Sequence, residues 1–327
     1  GSSVVVTGGT GLIGRQVTRL LAESGASVTS VSLDEIEIEG AASHRIGDLT
    51  DFDFCMEVTD GADFVFHLAG IKGSLEVTKS RPASFLVPML RFNTNILEAA
   101  RRNQVKHLVY TSSIGAYSSA EIFVEDEGFE GEPMDTFPGW AKRMAELQIQ
   151  AYGKEFGVDW AVVRPCNVYG PGDNFDPNNA MVIPSLMMKI RRGDSPVQVW
   201  GDGSAIRDFA YSADVAEGIV AAALLGTRGS FVNLASGTGY SVRELVEALQ
   251  EFLPFDAEFD ASKSGGFPRR VMDISRARDW LGYDPKTSLR DGLEATWNWF
   301  IENEDEYLKK KNYFQDSTEA TTGADSR

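Results

Sequence analysis

The chain is poor in three things. Its 327 residues include two cysteines, Cys55 and Cys166, too few for a disulfide framework and without the spacing of a metal site. That scarcity points to a reducing compartment. Positive charge is scarce as well: 31 Lys and Arg stand against 48 Asp and Glu, a net charge of −17. Such a surface is not built to neutralise phosphate backbones, so nucleic acid is set aside as a partner. Long apolar runs are missing too, since none reaches the 18 residues or so that a membrane span needs. No basic, signal-like segment precedes Val4-Val5-Val6. The expectation is a cytoplasmic protein without a membrane or nucleic-acid partner. Any anionic ligand must be held by a few placed cations and backbone N–H groups against the overall field.

What is present is ordinary for a globular chain: 43% hydrophobic and 24% charged residues, enough for one large domain or two small ones. Short β-rich runs alternate with helical patterns through the first half. The runs are Val4–Thr7, Ser27–Leu33, Phe64–Leu68, Leu108–Thr111 and Trp160–Arg164; the helical stretches are Ile13–Ser24, Phe92–Asn103 and Trp140–Phe156. This alternation predicts an α/β fold, a doubly wound parallel sheet covered on both faces. After Gly170-Pro171-Gly172 the rhythm changes. Polar loops at 173–179, 201–204 and 262–268 separate the helical patterns Val182–Arg192, Val242–Phe252 and Leu289–Asn303. We therefore expect a dinucleotide-binding domain over 1–170, a smaller α/β substrate lobe over 171–303 whose strands interleave with the first domain, and a mobile tail over 304–327.

The most informative segment is Thr7-Gly8-Gly9-Thr10-Gly11-Leu12-Ile13-Gly14, between the first strand and the first helix. Gly8 permits a tight turn, Gly11 lets the backbone approach a pyrophosphate, and Gly14 lets helix and strand pack closely. The helix N-terminus then faces the negative charge. An acid about 20 residues on, Asp34, completes a dinucleotide pattern. Between Ala26 and His44 there is no Lys or Arg, while Asp34, Glu35, Glu37 and Glu39 are present. A 2′-phosphate there meets repulsion, so NAD is favoured over NADP, although Arg15 is close enough in sequence to reach in. Asp48 is either an acceptor for the adenine amino group or an ordinary turn aspartate.

The glycine turn, Gly47-Asp48-Leu49, His67-Leu68-Ala69-Gly70, Thr111-Ser112-Ser113, Lys142 and Arg164-Pro165-Cys166-Asn167-Val168-Tyr169-Gly170-Pro171 occur in one order. Together they resemble the extended short-chain dehydrogenase/reductases, the NAD-dependent nucleotide-sugar epimerases, dehydratases and reductases. The resemblance spans residues 3–303. Within that superfamily, Asn167–Phe175, Val182-Ile183-Pro184, Trp200-Gly201-Asp202-Gly203, Arg207-Asp208-Phe209 and Pro268–Asp273 are most similar to the GDP-L-fucose synthase group.

The resemblance implies an NAD site made by Gly8, Gly11, Leu12, Ile13, Gly14, Asp34, Asp48, Leu49, Leu68, Ala69, Gly70, Lys142, Pro165 and Val168. It implies a nucleotide-sugar site made by Asn167, Met181, Val182, Lys189, Trp200, Arg207 and Arg270. A diphosphate calls for cationic forks and donors, which Lys189 and Arg207 supply in an otherwise acidic chain. The alternatives are surface ion pairing for those two and plain packing for Trp200. A homodimer through the helices over 92–103 and 140–156 is also implied.

One part of the pattern is missing. The family's chemistry uses a Ser or Thr, a Tyr, and a Lys four residues after the Tyr. Ser113 and Lys142 fit, but the Tyr position is Pro138, in Phe137-Pro138-Gly139-Trp140-Ala141-Lys142. The acid/base Cys and His of the fucose-synthase pattern fall on Gly115 and Met181, and the dehydratases' Asp-Glu pair falls on Ile114-Gly115. A placed proton-transfer group is worth about 10²–10⁴-fold in rate, so that family's reaction is not carried over unchanged. Three readings stand. Lys142 or Tyr117, with Ser113 and a water, moves the proton; or Phe137 occupies a displaced Tyr position, natively or by substitution; or the chain binds cofactor and nucleotide sugar without efficient turnover, as a sensor or partner subunit. Cys166 reads more readily as a buried thiol than as an acid, and His67 as structural. No metal signature is present. The leading expectation is an NAD-dependent oxidation, reduction or epimerisation of a nucleoside-diphosphate sugar, GDP first among bases.

Overall fold

The computed structural model describes residues 1–71, 73, 75–176, 179–263 and 266–308. The chain beyond 308, and the middles of the loops at 173–179 and 262–268, lie outside the described residues.

The elements run β1 (Ser3–Thr7), α1 (Leu12–Glu23), β2 (Ser27–Ser32), β3 (Ser43–Ile46), α2 (Phe52–Thr59), β4 (Phe64–His67), α3 (Leu75–Ser80), α4 (Pro82–Arg102) and β5 (His107–Thr111). Next come β6 (Ile122–Phe123), α5 (Thr136–Phe156), β7 (Ala161–Pro165), β8 (Asn167–Tyr169), α6 (Val182–Arg192), β9 (Val197–Trp200), β10 (Ile206–Tyr211) and α7 (Ser212–Leu225). The chain continues with β11 (Val232–Leu234), β12 (Gly239–Ser241), α8 (Val242–Gln250), β13 (Ala257–Asp260), β14 (Arg269–Met272), α9 (Ser275–Leu281), α10 (Leu289–Glu302) and α11 (Glu304–Leu308).

Seven strands form one parallel sheet in the order β3-β2-β1-β4-β5-β7-β11. Val4, Val5 and Val6 are all buried, as a central strand covered on both faces requires. The chain order reverses between β1 and β4, so a crevice opens beyond their carboxyl ends, where doubly wound sheets bind ligands. The architecture is the predicted Rossmann-like sheet flanked by helices. A smaller lobe stands beside it, with β12-β10-β14-β6 in one sheet, β8 paired to β10, and β13 paired to β9. Its own apolar cluster includes Phe175, Ile183, Met187, Val199 and Leu245.

Several local predictions change. Helix α4 begins at Pro82, ten residues before the predicted Phe92. Pro82 suits the first turn, where its missing N–H costs nothing, but Pro88 lies inside the helix and interrupts the pattern read from sequence. Two strands of the seven-stranded sheet went unpredicted. β3 is Ser-His-Arg-Ile, without apolar alternation, and β11 has three residues. β11 returns from beyond residue 171 to pair with β7, so the later half of the chain completes the first sheet. The start of the expected tail is the short helix α11, where Glu306 accepts from Arg15 Nη2 at 2.7 Å. Among the described residues no helix is long and apolar enough to cross a membrane.

Candidate active site

A cavity of about 1190 Å³ extends from the glycine turn to Arg207 and Arg270. The turn fits a dinucleotide. Gly8 has φ +70°, and a Cβ there would sit 2.9 Å from the backbone of Ala69. A Cβ at Gly14 would collide with the Gly8 carbonyl oxygen and lie 2.8 Å from Gly9 Cα, so strand and helix meet only because residue 14 has no side chain. No side chain caps α1 at Gly11, which leaves its first N–H groups for an anion. Leu12 and Ile13 line the same cavity.

At the far side of the turn Asp34 is buried and accepts from Thr10 Oγ1 at 2.8 Å. Its place at the end of β2 suits the ribose hydroxyls of NAD. Arg15, which the sequence left within reach of a 2′-phosphate, is engaged elsewhere. Its Nη2 donates to Thr10 O and Glu306, and its guanidinium lies 4.8 Å from the Trp299 ring centroid. Asp48 lines the cavity while its Oδ1 accepts from Thr50 N at 2.8 Å, so it holds a turn as well. Leu49, Leu68, Ala69, Gly70, Pro165 and Val168 are part of the same wall.

The middle of the cavity carries Ser113 and Lys142. Ser113 ends the turn after β5, and its Oγ accepts from Gly115 N at 3.1 Å. Lys142 Nζ donates to Thr111 O at 2.7 Å and lies 5.1 Å from the Tyr110 ring centroid. Burial lowers its pKa to about 8, with Glu146 one turn on pulling the other way. Thr111 and Ser112 also border the cavity, and their hydroxyl oxygens are buried without a hydrogen-bond partner. Buried hydroxyls of this kind suit a polar ligand.

Other predicted groups turn away from the cavity. Tyr117 is buried and donates to Asn233 Oδ1 at 2.7 Å, and burial pushes its pKa up beyond reach of neutral pH. It does not border the cavity and cannot serve as the missing phenol. Cys166 donates its thiol to Asp208 O, and burial raises its pKa, so it is an inert thiol in the wall. His67 is fully buried, with a pKa lowered to about 3 by desolvation. Its Nε2–H donates to Asn93 Oδ1 while Nδ1 accepts from Thr7 Oγ1. Thr7 Oγ1 in turn accepts from Leu68 N and Ala69 N, so the histidine fixes the carboxyl ends of β1 and β4.

At the other end Asn167 donates Nδ2 to Asp208 O at 3.1 Å, and Met181 and Val182 border the opening from the start of α6. Arg207 and Arg270 are neighbours in the parallel β10–β14 pair. Burial and the adjacent Arg270 bring the Arg207 pKa down to about 10. The Arg270 guanidinium stacks 4.1 Å from the Phe267 ring centroid, and its buried Nε has no hydrogen-bond partner. Two desolvated cations side by side gain most from a polyanion. Lys189 and Trp200, predicted for the same ligand, do not line this cavity. Lys189 Nζ donates to Gln198 O at 2.6 Å, and Trp200 is 61% exposed at the end of β9. Their neighbours on α6 and β9 pack inward and leave these two turned out.

Pro138 stands in the first turn of α5, and Phe137 borders the cavity, partly exposed. One acidic residue here escaped the sequence reading: Asp135, before α5, also lines the cavity. Thr136 beside it has φ +33°, which a β-branched residue adopts only when the surroundings impose it. Among the described residues no group of three His, Cys, Asp or Glu could hold a metal ion.

Comparison with known proteins agrees with this geometry. Residues 4–235 match the model of the NAD dependent epimerase/dehydratase family. GDP-L-fucose synthase 1 of Arabidopsis thaliana is 31% identical over 313 residues, covering 92% of this chain and 94% of the relative. A dTDP-4-dehydro-6-deoxy-D-allose reductase of Streptomyces sp is 32% identical over 319 residues, covering 92% and 96%. The solved structure of MoeE5 in complex with UDP-glucuronic acid and NAD superposes with a TM-score of 0.80 at 27% identity, covering 92% of this chain and 99% of that one. With the sheet order and the glycine turn, these matches establish that the chain belongs to the NAD dependent epimerase/dehydratase family.

Proposed function

We propose that the protein is an NAD-dependent enzyme that oxidises, reduces or epimerises a nucleoside-diphosphate sugar, with GDP the first base to test. The observation that carries this reading is the single cavity that joins the glycine turn to the Arg207–Arg270 pair, with Ser113 and Lys142 between them. The named activities of the fucose synthase and the allose reductase, and the nucleotide sugar in the MoeE5 complex, support it. The alternative, a binding protein without turnover, rests on Pro138 alone. Membership of a family of epimerases and dehydratases makes the chain an enzyme.

NAD, when bound, supplies a hydride acceptor and donor. The chain's own residues do the rest. The glycine turn and the open N-terminus of α1 hold the pyrophosphate, and Asp34 receives the ribose hydroxyls. Lys142, fixed by Thr111 O, presents its remaining N–H donors to the second ribose. Ser113 orients the sugar hydroxyl, while Arg207 and Arg270 hold the substrate diphosphate. A panel of GDP-, UDP- and dTDP-sugars with NAD, followed by nicotinamide absorbance and sugar NMR, tests the reading. Turnover of at least one is expected, and silence across the panel overturns it.

Cofactor choice gives a sharper test. A phosphate placed against the Asp34 carboxylate is a like-charge contact that costs several kcal/mol, so NAD should bind about 10²-fold more tightly than NADP. Asp34→Ser should narrow that ratio to about tenfold, measured by calorimetry. A ratio near one in the unaltered protein would contradict the assignment of Asp34.

We also propose a homodimer through α4 and α5. Trp140, Met144 and Leu147 are exposed at helical spacing along α5, an apolar strip that a second copy would cover. Sedimentation should show a dimer, and Met144→Lys should shift it toward monomer.

A further inference from the structure

We infer that Asp135 is the proton-transfer residue of this site, occupying the space that a side chain at position 115 would otherwise fill. The inference rests on the proposed nucleotide-sugar reaction and names the group that reaction lacks.

Three observations carry it. Gly115 and Asp135 both line the cavity beside Ser113. A Cβ built on Gly115 would land on Asp135 Oδ2, with Cγ at 2.7 Å and Cβ at 2.9 Å, and all three nearest atoms belong to that one side chain. The glycine is therefore matched to the carboxylate, which enters the cavity where residue 115 would have projected. Second, Asp135 stands at the N-cap of α5, yet its side chain makes no capping hydrogen bond. An aspartate at that position ordinarily accepts from the first N–H groups of the helix; this one does not, and the next residue, Thr136, has φ +33°. Third, the positive groups bordering this part of the cavity are Arg270 on β14, Arg207 beside it on β10, and Lys142 on α5. Arg270 favours the carboxylate, while burial opposes it more strongly and raises the Asp135 pKa above the ordinary carboxylate range. A carboxyl moved toward neutrality exchanges protons more effectively near physiological pH.

The step balances as follows. A sugar hydroxyl held by Ser113 loses its proton to an Asp135 carboxylate oxygen, and the O–H bond breaks. The hydrogen on the same carbon departs with its two electrons to an oxidised nicotinamide dinucleotide, and the C–O bond becomes C=O. In the reverse direction the protonated Asp135 returns the proton to the oxygen as the carbonyl is reduced. Pro138 then needs no hydroxyl, since the acid lies three residues earlier on the same turn.

The test uses full-length protein with GDP-L-fucose, UDP-glucose and dTDP-glucose as probes. Asp135→Asn should lower kcat about 10²-fold and remove the acidic limb of the kcat/KM–pH profile, with nucleotide-sugar affinity changed less than about threefold. Gly115→Ala, whose methyl group displaces the Asp135 side chain, should cause a comparable loss, and adding it to Asp135→Asn should change little further, because the two act through one group. Retention of kcat within about threefold in Asp135→Asn, or full additivity of the two variants, overturns the assignment. A second readout is independent of turnover. In protein carrying ¹³C-labelled aspartate carboxyls, the resonance lost in Asp135→Asn should titrate above the ordinary carboxylate range and shift when a nucleotide sugar is added with NAD. If the protein turns over none of the three sugars, the proposed function is at fault rather than Asp135, and this resonance decides the residue: a shift upholds the inference, and an unmoved resonance overturns it.

Discussion

Lys142→Met is expected to lower kcat/KM for nucleotide-sugar turnover by about 10³-fold and, at neutral pH, to raise the melting temperature. Lys142 lies beside Gly70, with Nζ 3.7 Å from where a Cβ there would stand, and among the described residues it makes one hydrogen bond, to Thr111 O. It also borders the cavity, so the variant should bind NAD more weakly as well. The stability gain follows from the same position. Burial lowers the Lys142 pKa from 10.5 to about 8. Below that pH both folded and unfolded chains carry the proton, and the folded state bears the full cost of a desolvated cation. Between about 8 and the free-lysine range the unfolded chain holds a proton that the folded chain has released, so stability rises with pH. The advantage of Lys142→Met should therefore be largest below pH 8 and shrink above it. Scanning calorimetry from pH 6 to pH 10 checks this. A variant less stable than the parent throughout would show that the Thr111 bond outweighs the burial.

The second large effect concerns a buried ion pair. Arg164 and Glu146 are 0% and 1% exposed, and the guanidinium donates to both carboxylate oxygens at 2.9 and 2.6 Å and to Gly128 O at 2.9 Å. Its Cζ lies 3.9 Å from the Phe231 ring centroid and 4.4 Å from that of Tyr117. Glu146→Leu strands a cation in this apolar setting, and breaking such a pair costs about 3–5 kcal/mol. That is a large share of a typical stability of about 5–15 kcal/mol. The double variant Glu146→Leu/Arg164→Met should recover most of the loss, because apolar residues of similar volume replace a buried pair at little cost. Urea denaturation measures both. A double variant no more stable than the single one would place the value of the pair in its bond to Gly128 and its ring stacking rather than in its charge.

These residues also show where sequence is informative. The glycine turn is contiguous and its chemistry is local, so Gly8, Gly11, Gly14 and the following acid are readable directly. The central strands announce themselves through runs such as Val4-Val5-Val6, which only a sheet covered on both faces buries. β3 and β11 carry no such signal, because a four-residue edge rich in polar groups and a three-residue strand are defined by their partners. Pro88 hid the first half of α4 for the opposite reason: tertiary packing overrides a strong local breaker. Tyr117 lies four residues from Ser113, yet that spacing does not tell which way the ring points, and the bond to Asn233, far along the chain, turns it inward. Lys189 and Trp200 are the right chemical types for a diphosphate, but their orientation depends on how α6 and β9 pack. Asp135 was hidden because its meaning depends on Gly115, a neighbour twenty residues earlier in the chain. The one local hint was an unexplained glycine where the fucose-synthase resemblance leads one to expect an acid/base side chain.

The placement of β11 has a consequence for how the protein is made. β7 leaves the ribosome with one side already matched to β5, but the strand that covers its other side is encoded nearly seventy residues later. At translation speeds of about 5–20 residues per second, that edge stays open for roughly 3–13 s. It is a run of five buried residues, Ala161–Pro165, the kind of edge that invites pairing with another chain. Asn233 is the clasp that ends the wait. Its side chain accepts from Tyr117 and donates to Phe123 O, both made earlier, and later donates to Asp273 O, made forty residues after it. A nascent chain halted before residue 232 has a nearly complete sheet and no means of closing it.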